Sequence, residues 1–398
     1  MNQGLAKSFI LITVILMDIL TGMEFDLFVP SFPELQNYFS LTAFWVEASL
    51  SANFIGYCLS LFFVGDIADR YGRKPIILFG LGIFVFGCVL CLWSVSYKIF
   101  LIGRFLQGIG IAAPAILSFL IIADLYSLKK QQFLLAMLNG SMNISVAVAP
   151  VIGSYVTKYF HWQGNFITLL FLGVTILVMT VFFIPSYKWQ KNNETLSLHG
   201  YIRIFQSKNL MLLIVCLMFM FVPYWIFAGM SPLLYMKDLG VSLSHFGYYQ
   251  GVLSLVFAVG SLLSGLIINK YNQKSMLYVS NLIFIASLIT INLVTVFNST
   301  SPLFITLAFI PFIIGQIIPS NLLYPLCLNL MSHAKGRITA VLQGGRLIFA
   351  SLSLQLAGYF YQGTFRNIGI IITCFIFITV IILFFVIKTP GLRENGVR

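Results

Sequence analysis

Gly65-Asp-Ile-Ala-Asp-Arg-Tyr-Gly-Arg-Lys74 is the stretch whose reading decides the fold. Five of its ten residues are charged, in a chain that is only 9% charged, and a long apolar run lies on either side of it. Such a stretch reads as a polar turn between two membrane-spanning helices. Two hundred residues later comes Gly265-Leu-Ile-Ile-Asn-Lys-Tyr-Asn-Gln-Lys274. Gly, Ile, Tyr and Lys recur in register at 65/265, 67/267, 71/271 and 74/274, and Lys270 stands opposite Arg70. Both copies follow the second apolar run of their half, so the chain reads as a duplicated unit.

Working outward, the composition supports the same reading. The chain has 398 residues, is 59% hydrophobic and has a mean hydropathy of +0.97. Apolar runs of about 18 or more residues mark transmembrane helices. Twelve fall near 8–29, 46–66, 75–95, 98–123, 132–157 and 166–184, then 210–235, 246–268, 276–297, 302–327, 336–359 and 367–387. The expected architecture is an all-α membrane protein with twelve transmembrane helices in two pseudo-symmetric six-helix bundles. The domain boundaries follow: residues 1–187 form the first bundle, 188–209 a cytoplasmic linker, and 210–398 the second bundle. The first apolar run lacks a small-residue cleavage site and reads as a retained span, not a signal peptide.

The net charge of +12 is explained by topology. With a cytoplasmic N-terminus, 17 of the 23 Lys and Arg residues fall on the inner side and four on the outer side, and Arg104 and Arg346 fall within spans. This alternation predicts a multi-pass protein of the cytoplasmic membrane with both termini inside, and no nucleic-acid partner. All six cysteines sit in predicted spans, so Cys88-x-x-Cys91 reads as packing and no metal site is expected. There is no phosphate-binding Gly-x-x-x-x-Gly-Lys motif and no hydrolase signature, so the chain is expected to be neither an ATPase nor another enzyme.

The first span ends in Met17–Pro33, MDILTGMEFDLFVPSFP, with three acids: Asp18, Glu24 and Asp26. An acid at mid-bilayer costs about 2.5–3.5 kcal/mol on insertion scales, which marks the segment as functional. On a helical wheel Asp18 and Asp26 lie about 80° apart, and Glu24 and Asp26 about 160° apart, so the three cannot share one face. Arg104, within span four, needs an acidic partner at comparable depth. Asp26 is the expected partner, Asp18 a second proton site, and Glu24 is expected to point to a different helix contact.

The motifs resemble those of the major facilitator superfamily. Gly65–Lys74 resembles its loop 2–3 signature, with Ile67 as the softened position. The resemblance implies a cytoplasmic gate formed by Gly65, Asp69, Arg70, Gly72, Arg73 and Lys74. Gly65 is expected to permit close helix approach, Gly72 a tight turn, and Arg73 a pair with Asp124. In the second copy Asn269 and Gln273 replace the Asp and Arg, so the latch is expected on one side alone. Arg104-Phe-Leu-Gln-Gly-Ile-Gly110 resembles a second signature of the superfamily. Ala149-Pro150-Val-Ile-Gly153-Ser154 resembles its antiporter signature, with Pro150 and Gly153 kept and two glycines replaced. Asp26-Leu-Phe-Val-Pro30-Ser-Phe-Pro33 resembles the end of helix one in the drug:proton antiporters with twelve helices, most clearly the Bcr/CflA-type multidrug exporters.

That resemblance implies a proton-coupled antiporter working by alternating access, which exports amphipathic small molecules or drugs, runs on the proton gradient without a cofactor, and acts as a monomer in the bilayer. Asp26, Asp18, Glu24 and Arg104 are the candidate proton-coupling residues. Gln107, Asn139, Tyr224, Trp225, Gln343 and Arg346 are candidates for the substrate cavity. The alternative is a proton-coupled importer, or an exporter of a defined solute such as a siderophore or organic anion, held by Arg104 and Arg346.

Overall fold

A computed structural model describes residues 3–126, 128–186, 198–268, 270–331 and 335–388. Every long element in it is a helix, as it must be where lipid offers the backbone no hydrogen-bonding partner. In chain order these are α1 (Gln3–Asp26), α2 (Phe32–Tyr38), α3 (Ala43–Tyr71), α4 (Arg73–Leu92), α5 (Tyr97–Leu125) and α6 (Leu128–Phe183). Then follow α7 (Leu198–Gln206), α8 (Lys208–Pro232), α9 (Leu243–Ile267), α10 (Gln273–Val296), α11 (Pro302–Leu330), α12 (Lys335–Phe360) and α13 (Phe365–Lys388).

Among the described residues, eleven helices are long and apolar enough to cross a membrane. One of them, within α6, belongs to a run of 56 residues broken by a non-helical His161. A helix rising 1.5 Å per residue would reach about 84 Å over that length, far beyond a hydrocarbon core of about 30 Å. The break therefore makes two spans of α6, and the eleven runs become twelve. His161 holds φ of 60°, a strained value for a residue with a Cβ, and its Nδ1 sits 2.8 Å from Glu34 Oε1.

The chain divides into two compact units, one of Met1–Leu41 with Ala48–Leu196, the other of Thr42–Glu47 with Ser197–Arg398. The division thus differs from a simple cut at the linker, because six residues at the start of α3 group with the second unit. The interval 188–209, read as linker, also holds structure: α7 is a short amphipathic helix with Ile204 fully buried. Residues 187–197 lie outside the described part.

In the first unit α1 packs on α5 and α6, and α4 on α5 and α6. Close approach between α3 and α5 depends on Gly108, where a Cβ would lie 2.0 Å from the Asn53 carbonyl oxygen. A cluster of Phe28, Phe100, Trp162 and Phe166 fills one end, with ring centroids 5.4–6.0 Å apart. In the second unit α8 packs on α12 and α13, and α11 on α9 and α10. Its aromatic core joins Phe227, Phe309 and Tyr235, whose hydroxyl meets Thr306 Oγ1 at 2.9 Å.

The repeated decapeptide is built differently in its two copies. Gly72, at φ of 95°, makes the turn into α4, a conformation that favours glycine. Asn272, at the matching place, has φ of −64° and caps α10 instead, its side chain accepting from the Lys274 amide at 2.9 Å.

Candidate functional site

The polar centre of the first unit is assembled from three helices. Glu24 is on the last turn of α1, Asn53 is on α3, and Arg104 and Gln107 are one turn apart on α5. All four are fully buried. Arg104 Nη1 lies 3.0 Å from Glu24 Oε1 and donates to Gln107 Oε1 at 2.5 Å. Asn53 Nδ2 donates to the same Glu24 oxygen at 2.5 Å and reaches the Arg104 carbonyl at 3.2 Å. Arg104 Nε donates to the Ser49 carbonyl at 3.4 Å, and the guanidinium lies over the Phe28 ring, 4.2 Å from its centroid. Gln107 in turn donates to Cys88 Sγ at 3.0 Å.

This corrects the expected pairing. Arg104 meets Glu24, not Asp26, and Gln107 belongs to this network as a buried hydrogen-bond partner. The wheel placed Glu24 and Asp26 on different faces, but a wheel does not say which face is turned toward α5. The rotation of α1 about its axis decides that, and it is set by packing. Asp26 is buried as the last residue of α1. Asp18, also buried, accepts from Ser141 Oγ of α6 at 3.3 Å. Glu24 and Asp18 thus face separate surroundings, one toward α3 and α5 and the other toward α6.

The network is incompletely satisfied. Glu24 Oε2, Arg104 Nη2 and Asn53 Oδ1 are buried and have no hydrogen-bond partner among the described residues, and outside the network the same is true of Asp18 Oδ1. A buried polar atom left unpaired costs about 1–3 kcal/mol, so the centre carries a standing desolvation cost.

Pro150 and Gly153 serve this site indirectly. Pro150 lies inside α6, and at Gly153 a Cβ would lie 1.8 Å from the Leu27 carbonyl oxygen. Only glycine lets α6 touch the chain just after Asp26. Ser154, in place of the signature's last glycine, satisfies itself by donating to the Pro150 carbonyl at 2.8 Å.

In the Gly65–Lys74 stretch, Arg73 Nε lies 3.4 Å from Asp124 Oδ2, and Lys74 Nζ donates to the Val181 carbonyl at 2.7 Å. Arg70 is exposed in the last turn of α3. Gly65 corrects its expectation: a Cβ there would meet nothing within 4 Å, so no close helix approach depends on it. The side chains of Asp69 and Asn139 lie outside the described part.

The remaining cavity candidates belong to the second unit. Tyr224 Oη lies 2.9 Å from Ser254 Oγ, and its ring makes an edge contact with Trp225 at 5.9 Å. Arg346 donates to Gln343 Oε1 at 3.0 Å, and its guanidinium lies 3.6 Å from the centroid of Phe221. All four are half-buried.

One acid escaped the sequence reading. Glu47, in the first turns of α3, is fully buried. The signal was available, because position 47 falls inside the span read near 46–66.

Comparison with known proteins agrees with this architecture. Over 370 residues the chain is 25% identical to the multidrug resistance protein MdtL of Escherichia coli O81 (strain ED1a), covering 90% of this chain and 91% of that protein. Over 286 residues it is 26% identical to a bicyclomycin resistance protein homolog of Haemophilus influenzae, covering 70% and 71%. Among solved structures, a D-xylose-proton symporter superposes with a TM-score of 0.76 at 13% identity, covering 98% of this chain and 99% of that one. A bacterial homolog of the human lysosomal transporter Spinster, inward-facing and unoccupied, gives 0.75 at 15% identity with the same coverage. These two share the fold. Residues 14–354 match the Major Facilitator Superfamily, and with its twelve spans and duplicated loop signature the chain is a multi-pass membrane protein belonging to that family.

Proposed function

We propose that the chain is a proton-coupled antiporter that exports amphipathic small molecules, antibacterial drugs among them, by alternating access. It resides in the cytoplasmic membrane with both termini inside, acts as a monomer, catalyses no covalent reaction and draws on the proton gradient without a cofactor. The observation that carries this reading is the Glu24–Arg104 pair, fully buried beside two further acids on the same helix. Acids within an apolar span are rare and mark ion pathways and proton relays, and α1 carries three. The names of the curated relatives, a bicyclomycin resistance protein homolog and multidrug resistance proteins, support the substrate class.

Chemically, a proton added at Glu24 Oε2, the buried oxygen without a hydrogen-bond partner among the described residues, removes the charge that holds Arg104. The guanidinium is then left uncompensated in the apolar interior, and an arrangement that rehydrates it is favoured. Asp26 and Asp18 extend the proton path along α1. Arg73 and Asp124 belong to the cytoplasmic gate.

The test is flux in proteoliposomes loaded with a pH-sensitive dye, with a panel of amphipathic antibacterials, bicyclomycin included. Substrate and protons should move in opposite directions, and Glu24→Gln should abolish the coupling in a folded protein. Protons entering with substrate would establish a symporter instead. Coupled flux unchanged in both Glu24→Gln and Asp26→Asn would overturn the assignment of the proton site.

A further inference from the structure

A fourth buried carboxyl lies in the second unit. Glu47 is in the segment Thr42–Glu47, which packs with Ser197–Arg398. It is fully buried, and neither carboxyl oxygen has a hydrogen-bond partner among the described residues. The site is shaped around it. At Gly229 of α8 a Cβ would lie 2.5 Å from Glu47 Oε2 and 2.5 Å from Leu354 Cδ2 of α12, so the carboxyl rests against bare backbone. One turn before Glu47 on α3, a Cβ at Gly358 of α12 would lie 2.9 Å from the Phe44 Cα and 3.2 Å from the Ala43 carbonyl oxygen. Two glycines, one on each neighbouring helix, therefore hold this segment tightly.

Among the described residues, no charged group pairs with Glu47. The ionisable side chains of α8 are Lys208, Cys216 and Tyr224, and those of α12 are Lys335, Arg337, Arg346 and Tyr359. None of them lies within a helical turn of Gly229 or Leu354. On α3 the nearest is Tyr57, ten residues away. A buried carboxylate with neither donor nor counter-charge beside it is far costlier than a neutral acid, and such a group takes up a proton instead.

We propose that Glu47 is a proton-binding site of the second unit, separate from the acids of α1. It holds a proton while Thr42–Glu47 is packed on α8 and α12, and it gives the proton up only when that segment comes away. The step is one proton transfer: the carboxyl O–H bond breaks, its electron pair stays on Glu47, and the proton passes to water. A carrier whose packing depends on protonation is suited to sense the proton on one side of the membrane. This use rests on the transporter reading, but the binding itself does not.

The experiment therefore needs neither substrate nor gradient. Ala43, buried at the start of α3 beside exposed Thr42, is the reporter position. In the full-length protein in detergent, with the exposed Cys374 replaced by serine, the rate at which Ala43→Cys reacts with a hydrophilic maleimide is divided by the rate for Thr42→Cys, which removes the pH dependence common to both thiols. The ratio should rise at least about tenfold between roughly pH 6 and roughly pH 9, the response of one titrating group over more than one pH unit. With Glu47→Gln added it should stay low throughout, and with Glu47→Asp it should rise again. A ratio flat with pH in the Glu47 protein, or an equal rise with Glu47→Gln, would overturn the proposal. So would a Glu47→Gln protein that fails to fold, because glutamine copies the neutral acid.

Discussion

Glu24→Gln is the substitution that most directly probes the buried centre. Glutamine keeps the shape and can still accept from Asn53, but it removes the charge facing Arg104. At an effective dielectric constant of about 20, unit charges at the observed 3.0 Å attract by about 5–6 kcal/mol. Desolvating the two ions costs several kcal/mol each, so the pair itself contributes little net stability. The variant differs, because it leaves the guanidinium buried and uncompensated while that cost remains. Gln107, the Ser49 carbonyl and the Phe28 face still hold Arg104 and soften the loss. Removing one partner of a buried pair typically costs about 3–5 kcal/mol, and the lower end is expected here. Unfolding in mixed detergent micelles, followed by tryptophan fluorescence, measures it. Arg104→Met combined with Glu24→Gln should recover part of the loss, giving a coupling energy of about 2–3 kcal/mol in the double-mutant cycle. A Glu24→Gln cost below about 1 kcal/mol, within the range of exposed pairs, would refute the view that an ionised pair lies in a dry interior.

Two further outcomes follow from the packing and the loop chemistry. Gly153→Ala should destabilise the first unit by about 1–3 kcal/mol, the usual cost of overpacking, because its Cβ would lie 1.8 Å from the Leu27 oxygen; equal thermal stability in the variant would show that α6 can move aside freely. Tyr361, between α12 and α13, donates its hydroxyl to Asp238, and burial first, then the Asp238 carboxylate, push its ionisation above the ordinary range. Stability from this contact is therefore fully present below about pH 10, the ordinary tyrosine value, and is lost as pH rises beyond it. Melting temperatures measured from roughly pH 8 to roughly pH 11 should fall more steeply for the parent than for Tyr361→Phe, and parallel curves would count against it.

Much of the architecture was legible in the sequence because membrane spans are one-dimensional signals. An apolar run long enough to cross lipid must close its own backbone hydrogen bonds, so length and hydropathy suffice to find it. The duplicated decapeptide placed the two halves, and the Arg73–Asp124 contact followed from two charges at the ends of neighbouring spans. That Arg104 would need an acid was equally legible, since a cation within a span has few alternatives.

What tertiary structure alone decided was which acid answers it. Spacing along α1 sets the angles between Asp18, Glu24 and Asp26, but the helix can rotate as a rigid body without changing them. The rotation is chosen where Gly153 admits the chain just after α1 and where Asn53 and Arg104 converge on one Glu24 oxygen, the last two being contacts between residues 29 and 80 positions apart. Glu47 fell within a predicted span, so an acid there was legible, but only the two glycines of α8 and α12 show what encloses it. Helices are written locally in this chain; the partner of each buried charge is set by how the helices turn against one another.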